Sequence, residues 1–195
     1  TAAAEGWPAL FCNCDVCQRA RALGGKNIRT RSATMIDDQL LIDFSADTYG
    51  NALRFGLDLS KVHTLLVTHD HEDHLYAEDL GTRYTWFAHL NETSPEVLTV
   101  FGNDRVGFQV ARATAPYGGP GGRVAFRRVV PYEPTALPGG YTFTAMTALH
   151  DRAQQCYLYL VQDKAGKRMV YGHDTGVFTD DVMRFLAGQR LDYVM

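Results

Sequence analysis

The chain has 195 residues, 46% of them hydrophobic and 21% charged, with 19 Lys and Arg against 22 Asp and Glu. A chain of this size can bury roughly 70% of its unfolded surface, and no apolar run reaches the about 18 residues that a membrane-crossing helix needs. A net charge of −3 gives no electrostatic reason to expect a membrane or nucleic-acid partner, and the N-terminal TAAAEGWPALFCNC lacks the basic start and apolar run of a signal peptide.

In chain order, CNCDVC (12–17) comes first and brings Cys12, Cys14 and Cys17 together. ATMIDDQLLIDF (33–44) predicts two short strands turning at Asp37 and Asp38, and residues 47–55 a short helix ended by Gly56. The nearly continuous apolar run 62–68 predicts a strand buried on both faces. Leu80, Tyr84 and Phe87 are spaced for a helix over 76–90; a strand over 97–101 and a helix over 104–113 follow. APYGGPGG (115–122) reads as a loop, with no Lys-Ser/Thr after its glycines to make it a phosphate cradle. Strands near 123–130, 141–149, 155–162 and 168–172 and a helix over 179–186 complete the pattern, before the apolar stub LDYVM (191–195). The stub looks like a buried strand cut off as it begins, so the chain is expected to be truncated at both ends. No repeat, low-complexity tract or charge block interrupts it, so residues 1–195 are expected to form one domain, with two sheets and helices outside.

Three thiols within six residues cannot all pair with one another, and only Cys156 remains. A thiolate cluster holding zinc in a reducing compartment, the cytoplasm, is the simpler expectation. Reduced thiols without metal are the alternative.

Histidine is clustered as well. THDHEDH (68–74) places His69, His71, Asp73 and His74 directly after the apolar strand. Residues two apart project to one side as a strand opens into a loop, so His69 and His71 can converge. Imidazoles and a carboxylate suit zinc, manganese or iron at neutral pH. Two adjacent ligand groups suggest a metal pair, roughly 3.5–4 Å apart, able to hold a hydroxide and neutralise the oxygens of a phosphate under attack. A polar turn of solvated histidines is the bland alternative.

His-x-His-x-Asp-His after an apolar strand resembles the signature of the metallo-β-lactamase superfamily of binuclear hydrolases. LLIDFSAD (40–47), ALHD (148–151) and YGHDTG (171–176) extend the likeness over most of the chain. The resemblance implies an α/β, four-layer αββα sandwich. It also implies that His69, His71 and His150 bind one ion, that Asp73 and His74 bind a second, and that Asp174 bridges. Two divalent ions, zinc or manganese, would then sit at the active site, with a structural zinc on Cys12, Cys14 and Cys17. The residues alone leave alternatives: His150 as a structural histidine, Asp174 as a turn cap, Asp43 and Asp47 as groups orienting imidazoles, Asp47 as a helix cap. His173 points away from Asp174 if still in a strand; His63 and His89 read as structural.

The cysteine pattern, with Arg29-Thr30-Arg31-Ser32 after it, is similar to the branch that contains the cyclic phosphodiesterase of the carbon–phosphorus lyase pathway. That branch places a distal histidine fourth on its structural zinc, for which Cys156 could substitute only if the fold brings it near. The superfamily supplies a further histidine to the second metal, and the usual proton donor of the branch is a distal histidine, but no histidine follows His173 here. The expected function is hydrolysis of a small, cyclic phosphodiester by a hydroxide held between the metals, with Asp73 also orienting that water. Arg29, Arg31 and Arg152 are candidate phosphate contacts. A hydrolase of lactones, thioesters or RNA 3′ ends on the same fold, or a catalytically incomplete binding protein, are the alternatives. The expected partner is the small-molecule substrate, with no membrane, nucleic acid disfavoured, and a homodimer left open.

Overall fold

Strand alternation decides the layers. A computed structural model describes residues 3–118 and 122–195. In β2 (Leu40–Ile42), Leu40 and Ile42 join one core while Leu41 joins another. The same split recurs in β3 (Thr64–Leu66), where Leu66 faces the first core and Leu65 the second. Successive strand side chains point to opposite faces, so a strand apolar throughout must be covered on both.

Among the described residues two five-stranded sheets form. The first runs β1 (Thr34–Ile36), β2, β3, β4 (Leu98–Gly102), β5 (Val124–Arg128), parallel except for the β1–β2 hairpin. The second runs from β6 (Thr135–Ala136) through β7 (Thr142–Ala148), β8 (Cys156–Gln162) and β9 (Arg168–Tyr171) to β10 (Tyr193–Val194). It is antiparallel apart from the β9–β10 pair. Leu40, Ile42, Leu66, Phe101, Phe143, Tyr159 and Tyr171 fill the space between the sheets.

Helices cover the outer faces. α3 (Asp104–Thr114) sets Val106 and Val110 against the first sheet, and α4 (Asp180–Leu186) sets Val182 against the second. The Asn103 side chain starts α3 by accepting the Val106 N–H at 2.9 Å, and Thr179 caps α4 in the same way. α2 (Thr48–Phe55) ends at Gly56 in the left-handed region, φ +65°. The result is the expected four-layer αββα arrangement.

Three expectations are corrected. Residues 76–90 do not form one helix: a 3₁₀ helix covers Ala77–Arg83 and turns follow. The Tyr117 ring packs against Gly81, where a Cβ would lie 2.5 Å from Cε2, and Phe87 is exposed, so no continuous buried face exists. The stub pairs as β10, but Tyr193 and Val194 at the sheet edge are exposed rather than buried. The loop expected over 115–122 opens with a 3₁₀ turn at Ala115–Tyr117, and residues 119–121 lie outside the described residues. Two elements carried too little pattern to anticipate. α1 (Asp15–Leu23) buries only Cys17 and Ala20, and β6 has two residues. No helix among the described residues is long and apolar enough to cross a membrane.

Candidate metal centre

The carboxyl ends of the parallel strands and the rim of the second sheet meet at one place. Asp43 follows β2, His69 follows β3 through Thr68, His150 follows β7 and Asp174 follows β9. Tyr157 at the start of β8 donates its N–H to the Thr68 carbonyl at 3.0 Å, tying the two rims together. Asp43 and Asp174 both take positive φ, +61° and +49°, a conformation that aspartate tolerates better than most residues and that turns each carboxylate inward.

Here the structure gathers six side chains named from the sequence. His69 Nε2 lies 3.0 Å from His71 Nδ1, and His150 Nε2 lies 3.3 Å from the same atom. His74 Nε2 lies 3.0 Å from Asp174 Oδ2 and 3.5 Å from Asp73 Oδ2. Asp174 Oδ2 is also 3.8 Å from His150 Nε2, so one carboxylate spans both groups.

The donor set fits metal ions. A tetrahedral site with nitrogens about 2.0–2.1 Å from zinc has N···N edges of about 3.3 Å. The two spacings at His71 Nδ1, 3.0 and 3.3 Å, lie within about 0.3 Å of that edge. His69, His74 and Asp73 are buried, and buried imidazoles facing one another need a shared cation or an alternative hydrogen-bond partner.

The family model of the β-lactamase superfamily domain matches residues 38–195. The chain belongs to this superfamily. Its fold is that of the metallo-β-lactamases, a family of metal-dependent hydrolases. Among solved structures it is similar to zinc-bound PqqB from Methylobacterium extorquens (TM-score 0.74, 19% identity), covering 100% of this chain and 69% of that one. It is also similar to a diphosphatase of the PhnP family (TM-score 0.73, 23% identity, 97% of this chain and 68% of that one). Human tRNase Z, short form, shares the fold at TM-score 0.62 and 15% identity, over 85% of this chain and 70% of that one. No curated protein matches the sequence.

Behind the superfamily's histidine run lies a buried hydrogen-bond network. Asp43, fully buried, accepts from His74 Nδ1 at 2.7 Å, from the Thr68 N–H and hydroxyl at 2.9 Å each, from Ser32 at 3.0 Å and from Tyr171 at 3.0 Å. The carboxylate holds the His74 ring so that Nε2 faces Asp174. With its own proton committed to Asp43, the Thr68 hydroxyl accepts from His69 Nδ1 at 3.0 Å, which turns His69 Nε2 toward the cluster. Thr68 stands directly before the histidine motif, but the sequence assigned it no role. Tyr171 sits in an apolar strand, and its sequence carried no signal of this role.

Electrostatics divide the two buried histidines. Burial, reinforced by the neighbouring His74, pushes the His69 imidazole down to about 3. Burial would lower His74 too, but the hydrogen bond and charge of Asp43, with Asp73 and Asp174, outweigh it and raise His74 to about 9. Burial would raise Asp43; the His74 partner and the Thr68 donors overcome that and hold its carboxyl below the usual range.

The remaining candidates find other places. Asp47 neither caps α2 through its side chain nor touches an imidazole; it takes Arg31 in a forked ion pair, Nη2 to Oδ1 at 2.7 Å and Nε to Oδ2 at 3.0 Å. Arg31 is thereby committed to a carboxylate, while Arg29 and Arg152 are exposed. His173 stacks on the Tyr171 ring, centroids 4.8 Å apart, outside both ligand groups. His63 bonds Thr64 Oγ1 at 2.8 Å, and His89 is exposed in the turn region beyond the 3₁₀ helix.

The thiols of Cys12, Cys14 and Cys17 lie within 4.8 Å of one another at the start of α1. Cys156 is not part of that group. It is buried at the start of β8, its sulfur 3.9 Å from the Gln154 carbonyl and 4.0 Å from that of Asp151.

Proposed function

We propose that the protein is a metal-dependent phosphodiesterase acting on a small, cyclic phosphodiester. Two divalent ions, zinc or manganese, would be held by His69, His71 and His150 on one side and by His74 and Asp73 on the other. Asp174 would lie between them. The observation that carries this reading is the single Asp174 carboxylate oxygen within 3.0 Å of His74 Nε2 and 3.8 Å of His150 Nε2. Such a pair would neutralise charge on the phosphate oxygens under attack and lower the pKa of a water toward about 7.

The chain's own residues supply the frame. Asp43 and Thr68 orient His74 and His69, and Asp73, buried beside His74, would orient the attacking water. A structural zinc on Cys12, Cys14 and Cys17 would tie down the segment before α1, and its reduced thiols suit the cytoplasm. The diphosphatase that shares this fold supports phosphoryl chemistry as the reaction class.

The test is hydrolysis of a chromogenic phosphodiester by purified protein supplied with Mn²⁺ or Zn²⁺. Metal-dependent turnover that disappears in a His69→Ala, His71→Ala double variant is expected. A metal-loaded wild-type protein that leaves the phosphodiester intact would overturn the reading.

A further inference from the structure

One end of His71 is accounted for by the cluster. Its other nitrogen, Nε2, faces Asp151 Oδ2 at 3.4 Å. Asp151 is itself held. Its Oδ1 accepts the Ala153 N–H at 2.8 Å, an Asx turn built into the loop between β7 and β8. Its Oδ2 accepts from Gln154 Nε2 at 3.1 Å.

The Gln154 amide has only one workable orientation. Its oxygen accepts from the Asp70 N–H at 3.1 Å and from Asn103 Nδ2 at 3.0 Å. Its nitrogen donates to Asp70 Oδ1 at 2.5 Å as well as to Asp151. A backbone N–H can only donate and a carboxylate can only accept, so exchanging the amide's two ends would set donors against donors and acceptors against acceptors. Asn103 is anchored in turn, because its oxygen caps α3 and its nitrogen also donates to the Gln155 carbonyl at 2.6 Å. The chain of contacts runs from a helix cap on the first sheet to a histidine at the centre.

We propose that Asp151 and Gln154 form a positioning pair that fixes His71 with its proton on Nε2, leaving the Nδ1 lone pair free to bind a metal ion. The inference rests on the metal centre described under the proposed function. The reasoning is one of donors and acceptors. A carboxylate facing Nε2 accepts a proton there and repels a lone pair, so it selects the tautomer. The opposite tautomer would aim an N–H at His69 Nε2, 3.0 Å away, and block the position where the three imidazoles meet. Gln154 keeps Asp151 from swinging to solvent, and its link to Asn103 makes the position of His71 depend on both sheets.

Two measurements test this. Long-range proton–nitrogen NMR of the metal-free wild-type protein reads the His71 tautomer directly, and the Nε2–H form is expected. Chelator-competition titration with Zn²⁺ then compares wild type with Asp151→Ala and Gln154→Leu. Loss of the hydrogen-bond partner behind a ligating histidine weakens binding about 10- to 100-fold, and that loss is expected for Asp151→Ala, with a smaller loss for Gln154→Leu. Metal held by the thiols should stay unchanged in both. An Nδ1–H tautomer in wild type, or equal zinc affinity in Asp151→Ala, would overturn the inference while leaving the hydrolase reading intact. A wild-type protein that takes no metal at its histidines would overturn the hydrolase reading, and this inference with it. Should Asp151→Ala fail to fold, the wild-type tautomer and Gln154→Leu still decide the question.

Discussion

The histidine centre and the cysteine loop are built in opposite ways. The centre draws His69, His71, Asp73 and His74 from one turn, but His150 and Asp174 from the far sheet, and it rests on buried Asp43, Ser32, Thr68 and Tyr171. The loop draws all three thiols from six residues, and Cys14 is exposed. A site assembled by the fold has its geometry in place before metal arrives. A site assembled locally has little around it to hold the thiols, so there metal would order the chain rather than the reverse.

That contrast can be broken most forcefully at the centre. On the proposed function, replacing His69 and His71 together would remove several kcal/mol of transition-state stabilisation, so phosphodiester turnover should fall by on the order of 10³-fold or more. Metal content measured by mass spectrometry should drop only at the histidines, leaving the thiol-bound ion.

Asp43→Ala should come next, as a stability effect. It leaves a buried imidazolium without its partner, and breaking such a pair costs about 3–5 kcal/mol. Urea unfolding of the metal-free protein reads the change.

The pH response of the metal-free protein sharpens the same point without mutation. His74 is raised from its ordinary 6.5 to about 9, so its contribution is complete below pH 6.5 and disappears as pH climbs through 9. His69 is depressed to about 3, so it weakens the fold as pH falls from 6.5 toward 3, when only the unfolded chain gains that proton. Denaturant midpoints measured in chelator from pH 5 to 9 should therefore be highest near pH 6.5, falling on both sides. A flat profile would mean that the two histidines are not held as the structure places them.

Cys14→Ser is the mildest of these tests. In the metal-free protein an exposed substitution of this kind changes stability by no more than about 0.5 kcal/mol. Turnover in the metal-loaded protein should be close to wild type, since the thiols lie outside the histidine centre.

The motif His69-x-His71-x-Asp73-His74 was legible because adjacent residues on a strand end must share a neighbourhood whatever the rest of the chain does. The apolar strands were legible for the same kind of reason: Leu40 to Ile42 and Thr64 to Leu66 must be covered on both faces. His150 and Asp174 carried only weak local signals, a strand end before Asp151-Arg152 and a neighbouring Thr175-Gly176, and their place in the ligand set came through resemblance. Asp47 shows the limit. Its position before a helix suits a cap, yet Arg31, sixteen residues earlier, takes its carboxylate.

By itself, then, the sequence determined the residue types, the two local ligand clusters and the layered α/β pattern, because these depend on neighbours in the chain. The tertiary structure decided which distant groups meet. It brought Asp174 between His74 and His150, placed Tyr171 and Ser32 on Asp43, and set Gln154 behind Asp151. Those pairings depend on where two sheets come together, and hydrogen-bond partners at long range are chosen by that packing rather than by spacing along the chain.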